Sequence, residues 1–124
     1  MAPTDRIHLA GMVFQARHGV FDHEKVDAQR FEVDVELLLD LLPAGLEDDL
    51  ERTLDYSRVY DTVRTIVEST TFNLIEALAE AIAHELLADF PSLDEVVIRV
   101  RKPEVKLGGP LAFAGVEVRR RRTT

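Results

Sequence analysis

The sequence contains no cysteine, and this absence removes several kinds of chemistry from the chain. Disulfide bonds, zinc sites with thiolate ligands, iron–sulfur clusters and cysteine nucleophiles are all excluded. No apolar run approaches the roughly 18 residues of a membrane-spanning helix. The first residues, Met1 to Asp5, have neither the basic stretch nor the apolar core of a secretion signal. We therefore expect a cytoplasmic protein.

Positive charge is also scarce. The sequence has 15 Lys and Arg residues against 23 Asp and Glu residues, a formal net charge of -8. This balance argues against nucleic-acid binding, whose affinity comes largely from phosphates neutralised by basic side chains. It also disfavours anionic membrane surfaces. We predict that the one basic cluster, Arg119 to Arg122, is a strand end with a solvated tail; a polyanion-binding patch is the alternative.

The chain of 124 residues suits a single domain spanning residues 1–124. Apolar and polar residues alternate with a period of two in four segments, which predicts strands: Arg6 to Ala10, Phe31 to Asp40, Val96 to Arg101 and Val116 to Arg119. Helical spacing of apolar residues in 59–67 and 75–86 predicts two helices, the second ending before Pro91. The order ββ-αα-ββ predicts an α+β fold, in which a four-stranded antiparallel sheet carries both helices on one face.

The other face of this sheet is charged throughout. Its predicted members are Glu32, Asp34, Glu36, Arg99, Arg101, Glu117, Arg119 and Arg121. Acidic and basic strands on one face can pair across the sheet. An open sheet also leaves two edges unpaired, and joining sheets edge to edge into a ring would remove those edges. We therefore hypothesise a homo-oligomer whose sheets close into a ring-shaped barrel.

Lys102 is the first candidate for chemistry. It stands at the end of a predicted strand, and Pro103 keeps it extended. If burial desolvates its amine, the neutral form becomes accessible and can act as a general base. The alternative is an ordinary lysine at a strand end.

Two helix starts admit both a structural and a chemical interpretation. Asn73 and Glu76 fit a capping box, with Asn73 as the N-cap and Glu76 at the third helical position. The same helix start could instead bind the amidine-like edge of an aminopyrimidine ring through backbone N–H groups and the carboxylate. At the other helix, Thr53 or Asp55 can provide the cap, while Tyr56 either packs or donates a proton.

The polar segment His18 to Lys25, followed by Gln29, raises the question of a metal site. It holds two histidines and two acidic residues, but the spacing of His18 and His23 is not diagnostic of a metal ligand pair. Glycine-rich phosphate-binding sequences and the GxSxG nucleophile elbow are absent. Nucleotide-dependent and serine-hydrolase chemistry therefore have no support, and we predict no metal.

Taken together, these segments resemble the dihydroneopterin aldolase family of folate biosynthesis, from Asp5 to Val116. The landmarks are Gly11, His18 to Lys25, Gln29 to Phe31, Asp48 to Leu50, Thr53 to Tyr56, Phe72 to Glu76, Leu78 to Glu80 and Lys102-Pro103. The resemblance implies the tunnel fold, with four ββ-αα-ββ subunits in a ring and two rings stacked into an octamer. It also implies retro-aldol cleavage of 7,8-dihydroneopterin. The dihydropterin ring is then the electron sink, so neither a Schiff base nor a metal or other cofactor is needed.

The resemblance implies a role for individual residues. Lys102 would deprotonate the substrate hydroxyl through a bound water, and Glu24 would reach the substrate side chain with Gln29 beside it. Glu76 would hold the 2-amino and N3 edge of the pterin, next to the backbone of Ile75.

Two further residues are implied to act from a neighbouring subunit. Tyr56 would stack near the ring and help to protonate the enol intermediate, and the backbone at Leu54 would contact the pterin. The small-molecule substrate and further copies of the chain are thus the expected partners, with active sites between subunits.

Two features depart from the family pattern. Ala28 stands where glycine is common, and residues 104–110 contain fewer prolines than many members have. Three alternatives remain: an epimerase acting on dihydroneopterin or its triphosphate, a zinc-dependent enzyme like the pyruvoyl-tetrahydropterin synthases, and an inactive ring that serves as a scaffold. The missing histidine cluster disfavours the second, and the set Glu24, Tyr56, Glu76 and Lys102 argues against the third.

Overall fold

The computed structural model describes residues 5–123 of the chain. In this part the elements in chain order are β1 (Arg6–Ala16), α1 (Asp22–Val26), β2 (Gln29–Leu38), α2 (Leu42–Glu47), a 3-10 turn (Leu50–Arg52), α3 (Tyr56–Ser69), α4 (Ile75–Asp89), β3 (Glu95–Lys102) and β4 (Ala114–Arg121). Residues 1–4, which bear on the expectation about a secretion signal, and Thr124 at the end of the expected tail lie outside the described residues. Within 5–123, no helix combines the length and apolar character needed to cross a membrane.

The strands form one antiparallel sheet in the order β1-β2-β3-β4. This confirms the predicted α+β fold and the ββ-αα-ββ order of its long elements. Two short helices, α1 and α2, were not predicted from the sequence. Helix α1 lies in the segment expected to be a loop. It was not predicted because its five residues are too few to show a helical period.

A bulge lets β1 continue past the expected end of its strand. Its register against β2 shifts between Leu9 and Met12, and Gly11 adopts a left-handed φ of 69°. The Gly11 N–H donates to Asp34 Oδ1 at 2.7 Å. Because the shift moves the alternation by one residue, apolar side chains face the core on both sides of the bulge.

The core lies between the helices and one face of the sheet. The apolar residues of β2 from Phe31 to Leu37 are buried at alternate positions, as predicted. They pack in one cluster with the apolar stripes of the two long helices, which are Val59, Val63, Val67, Leu78, Ile82 and Leu86. Burial of these apolar side chains is the main contribution to the stability of the domain.

Ion pairs cover the opposite face of the sheet, as the sequence predicts. Arg99 contacts Glu36 at 2.5 Å and Glu117 at 2.6 Å. Arg101 bonds Asp34 at 2.5 Å and reaches Glu32 at 3.3 Å. Charges that would repel within a strand are thereby neutralised across strands.

The basic cluster at the end of the chain is largely tied to the fold. Strand β4 extends to Arg121, and Arg120 pairs with Glu80 of α4 at 2.7 Å. The Arg122 guanidinium donates to the carbonyl oxygens of Phe90 and Leu93. These contacts hold the end of β4 and the residue after it against α4 and the loop that follows α4.

Candidate active site

A buried ion pair joins the end of β3 to the short helix α1. Lys102 is the last residue of β3, and its Nζ donates to Glu24 Oε2 at 2.5 Å. The two residues are 9% and 8% exposed, although they are 78 positions apart in the sequence. Both side chains are therefore largely shielded from water. A pair buried this deeply depends on both partners, since removing one leaves an uncompensated charge.

The carboxylate of Glu24 collects three donors. Besides Lys102, the Gln29 Nε2 donates to Oε2 at 3.2 Å and the Phe21 backbone N–H donates to Oε1 at 3.3 Å. Burial alone would raise the pKa of Glu24, but the hydrogen bonds from Lys102, Phe21 and Gln29 outweigh it and hold the pKa below its ordinary value. Glu24 is consequently a charged acceptor that orients the lysine.

Gly19 makes room for this carboxylate. A Cβ on Gly19 would lie 2.3 Å from the carboxyl carbon of Glu24, which no side chain can tolerate without displacing it. Its φ of 154° also lies outside the range that other residues favour. This role of Gly19 was not predicted, because a glycine in a polar loop does not indicate in the sequence that another side chain packs against its backbone.

The start of α4 forms the second wall, and here the capping prediction is wrong. The helix begins at Ile75 with Leu74 as N-cap, and no side chain caps it. Asn73 and Glu76 are both exposed and both line the cleft. The first backbone N–H groups of the helix therefore stay available beside the carboxylate of Glu76.

Five of the predicted site residues line one cleft of about 810 Å³: Glu24, Gln29, Ile75, Glu76 and Lys102. This volume is in the range of small-molecule sites. Its charged side chains are mostly acidic, since Glu24, Asp27, Glu76 and Glu104 line it together with only two lysines, Lys102 and Lys106. The cleft is therefore unsuited to a polyanionic ligand.

The two departures from the family pattern also border this cleft. Ala28 lines it, as do residues 104–107. Among the described residues, the non-glycine residue with a positive φ is Asp48, so alanine at position 28 adopts an ordinary backbone conformation. Replacement of glycine there introduces no backbone strain.

Leu54 and Tyr56 are not part of this cleft. Leu54 is buried in the core, at 6% exposure, whereas Tyr56 is 59% exposed at the first position of α3. The interpretation that Tyr56 packs is therefore wrong. Asp55 caps α3 by accepting from the Ser57 N–H at 3.0 Å, which confirms one of the two predicted caps. Thr53 does not cap, and its buried hydroxyl has no hydrogen-bond partner within residues 5–123.

The two histidines of the first loop do not converge. His18 is fully buried against Phe31 and Phe72, while His23 is exposed and stacks on Phe21. In the described part of the chain, no group of three or more His, Asp or Glu side chains is arranged to hold a metal ion.

The chain as a whole is similar to the proteins of one known family. Residues 7–119 match the family model described as dihydroneopterin aldolase. The chain is 37% identical over 119 residues to the dihydroneopterin aldolase of Bacillus subtilis, which covers 96% of this chain and 99% of that protein.

Two solved structures are similar along nearly their whole length. The E. coli dihydroneopterin aldolase in complex with neopterin has a TM-score of 0.87 and 31% identity, covering 94% of this chain and 99% of that one. The dihydroneopterin aldolase of Burkholderia thailendensis bound to guanine has a TM-score of 0.79 and 28% identity, covering 96% and 92%.

Proposed function

This chain belongs to the dihydroneopterin aldolase family, and we propose that its cleft cleaves 7,8-dihydroneopterin by a retro-aldol reaction. The products are 6-hydroxymethyl-7,8-dihydropterin and glycolaldehyde, so the enzyme is a lyase of folate biosynthesis. The observation that carries the proposal is the buried Lys102–Glu24 pair in the same cleft as Glu76. The pair supplies proton-transfer chemistry, and Glu76 supplies recognition.

The start of α4 is suited to the edge of a pterin ring. That edge carries a 2-amino group next to a ring N–H, and both are donors that the Glu76 carboxylate can accept. The free backbone N–H groups beside Ile75 can in turn donate to a ring carbonyl. Neopterin and guanine, the ligands of the E. coli and Burkholderia relatives, share this amino-and-N–H edge.

In the proposed reaction, the neutral amine form of Lys102 accepts the proton of the substrate hydroxyl through a bound water. The adjacent carbon–carbon bond breaks, the hydroxyl-bearing carbon leaves as the aldehyde, and the electron pair moves into the dihydropterin ring. The resulting ammonium stays paired with Glu24, and its charge stabilises the ring anion. A proton returned to the exocyclic carbon completes the product, so neither a Schiff base nor a metal is needed.

We further propose that a second copy of the chain supplies this last proton through Tyr56. The phenol is exposed and lies outside the cleft of its own chain. Leu54, whose backbone would meet the pterin, borders a smaller cleft of about 390 Å³ that includes Thr53. A ring of four copies, stacked into an octamer, would bring the two surfaces together.

Epimerisation is the second candidate, because the aldehyde could add back to the exocyclic carbon, through its other face, before it leaves. This side activity uses the same intermediate and the same Lys102. The acidic lining of the cleft disfavours a triphosphate substrate for it. A location in the cytoplasm and the absence of a cofactor remain predictions.

Incubation with 7,8-dihydroneopterin, with glycolaldehyde and epimer measured separately, tests the proposal. We expect aldehyde release by the wild type and its loss in Lys102→Ala. Lys106→Ala is the matched control, since Lys106 also lines the cleft but Lys102 is the lysine that pairs with Glu24. Near-normal kcat in Lys102→Ala, or equal losses in both variants, would rule out the proposed base.

A further inference from the structure

His18 is a fully buried histidine to which the proposed reaction gives no role. Its Nδ1 accepts the backbone N–H of Phe72 at 2.9 Å. Its Nε2 lies 2.8 Å from the carbonyl oxygen of Val67 at the end of α3. Because Nδ1 is an acceptor, Nε2 carries the proton and donates to that carbonyl. The imidazole also meets the Phe31 ring edge-on, with centroids 5.2 Å apart.

This histidine lies at the start of the two chain segments that line the cleft. Gly19, next to it, donates its backbone N–H to the Phe72 carbonyl at 2.9 Å. From Gly19 the chain leads into the loop and helix that carry Glu24. From Phe72 it leads directly to Ile75 and Glu76. The His18-Gly19 and Phe72 segments are thus joined by two hydrogen bonds, one of which depends on a side chain.

We propose that His18 is a positioning residue that, by accepting the Phe72 N–H, fixes the ring-binding start of α4 at its distance from the Lys102–Glu24 pair. This inference rests on the proposed function, because it assigns Glu76 to the ring and Lys102 to proton transfer. The two groups sit on separate segments, so a shift between them displaces the substrate from the base. Misplacement by about 1 Å can lower a rate by roughly 100-fold.

The ring must be neutral for this role, because a protonated Nδ1 would face the Phe72 N–H as a second donor. Burial lowers the pKa of His18, the Val67 hydrogen bond opposes this shift, and the charge of Lys102 adds to it. Lys102, from β3, is the charged group that acts on the imidazole, and it is itself paired with Glu24. From α3, β2 and the α3–α4 loop, the ring meets the Val67 carbonyl, Phe31 and the backbone and ring of Phe72.

Two substitutions separate the two hydrogen bonds of His18. His18→Asn puts an amide oxygen near the place of Nδ1 and keeps the acceptor for Phe72. His18→Gln puts an amide nitrogen near the place of Nε2 and keeps the donor to Val67. Each variant loses one buried hydrogen bond and part of the ring's packing, so both should be destabilised to a similar extent.

We expect His18→Asn to retain kcat within about threefold of wild type and His18→Gln to lose roughly 10- to 100-fold, per folded molecule. The Kd for guanine, measured by calorimetry, should change less than kcat in both, since Ile75 and Glu76 remain together on α4. Equal kcat in the two variants, or losses that follow their unfolding temperatures, would overturn the assignment.

Amide hydrogen exchange at Phe72 keeps this test separate from the proposed function. The Phe72 N–H should exchange faster in His18→Gln than in His18→Asn, whether or not the wild type releases glycolaldehyde. A wild type without aldehyde release would reject the proposed function alone. Equal exchange of Phe72 in the two variants would reject the role of His18.

Discussion

At the scale of single residues, the site depends on how closely the chain can approach one buried carboxylate. Glu24 is held by Lys102, Gln29 and the Phe21 N–H, and its lowered pKa keeps it charged throughout the neutral range. The same carboxylate nearly touches the backbone of Gly19. The pairing of Glu24 with Lys102 therefore depends on the space left by a residue without a side chain.

Gly19→Ala should accordingly separate Glu24 from Lys102. The added methyl would overlap the carboxylate and force it out of reach of its donors, leaving a buried lysine without its partner. We expect kcat/KM for aldehyde release to fall by about tenfold or more in folded protein. Gly45→Ala is the control, because its Cβ would meet nothing within 4 Å. Unchanged kcat/KM in Gly19→Ala would contradict this account of how Glu24 is positioned.

At the scale of elements, the bulge in β1 and the charged face of the sheet share one carboxylate. Asp34 accepts the Gly11 N–H at the bulge and bonds Arg101 of β3. Hydrogen bonds from Arg101, the largest cause, and from Gly11 lower the pKa of Asp34 against the opposing effect of burial. A group whose pKa is lower in the folded chain stabilises the fold above its unfolded pKa. That stabilisation is lost as the pH falls through the lower folded value.

Asp34→Asn should therefore lower stability at neutral pH but hardly at all in strong acid. Asparagine removes the charge and keeps an acceptor for Gly11, so the difference from wild type should vanish below the folded pKa of Asp34. Urea unfolding from pH 7 down to about pH 2 measures it. Glu47→Gln, at a half-exposed pair with Arg52, should show a much smaller difference at pH 7. A constant difference at all pH values would show that the charge of Asp34 does not stabilise the sheet.

At the scale of the whole molecule, the cleft of one chain does not hold the complete set of implied residues. The cleft holds Lys102 and Glu76, while Tyr56 is exposed elsewhere. The sheet also ends in two long strands, β1 and β4, whose outer edges pair with no further strand among the described residues. Edges of this kind are normally paired or covered, and association with further copies would do both.

Mixing two inactive variants tests whether neighbouring chains share a site. Lys102→Ala and Tyr56→Ala should each be inactive as homo-oligomers, because every site lacks one group. After unfolding and refolding together in equal amounts, about a quarter of shared sites would combine an intact Lys102 with an intact Tyr56. We expect partial recovery of aldehyde release in the mixture and none when the variants are refolded separately. No recovery in rings proven mixed by mass spectrometry would contradict a shared site.

Local sequence patterns were enough to predict the strands, the long helices, the charged face of the sheet and the place of Lys102 at a strand end. These follow from local periodicity, since alternate residues of a strand and every third or fourth residue of a helix share a face. The short helix α1 and the bulge at Gly11 escaped prediction because neither covers a full period.

Which groups meet depends on the tertiary structure. It joined Lys102 to Glu24 across most of the chain, left Asn73 without the capping role that its sequence context favours, and buried His18 between the two walls of the cleft. The physical reason is that long-range contacts depend on how the whole core packs. The sequence around each residue carries only its local preferences, and packing overrides those preferences wherever two segments compete for the same space.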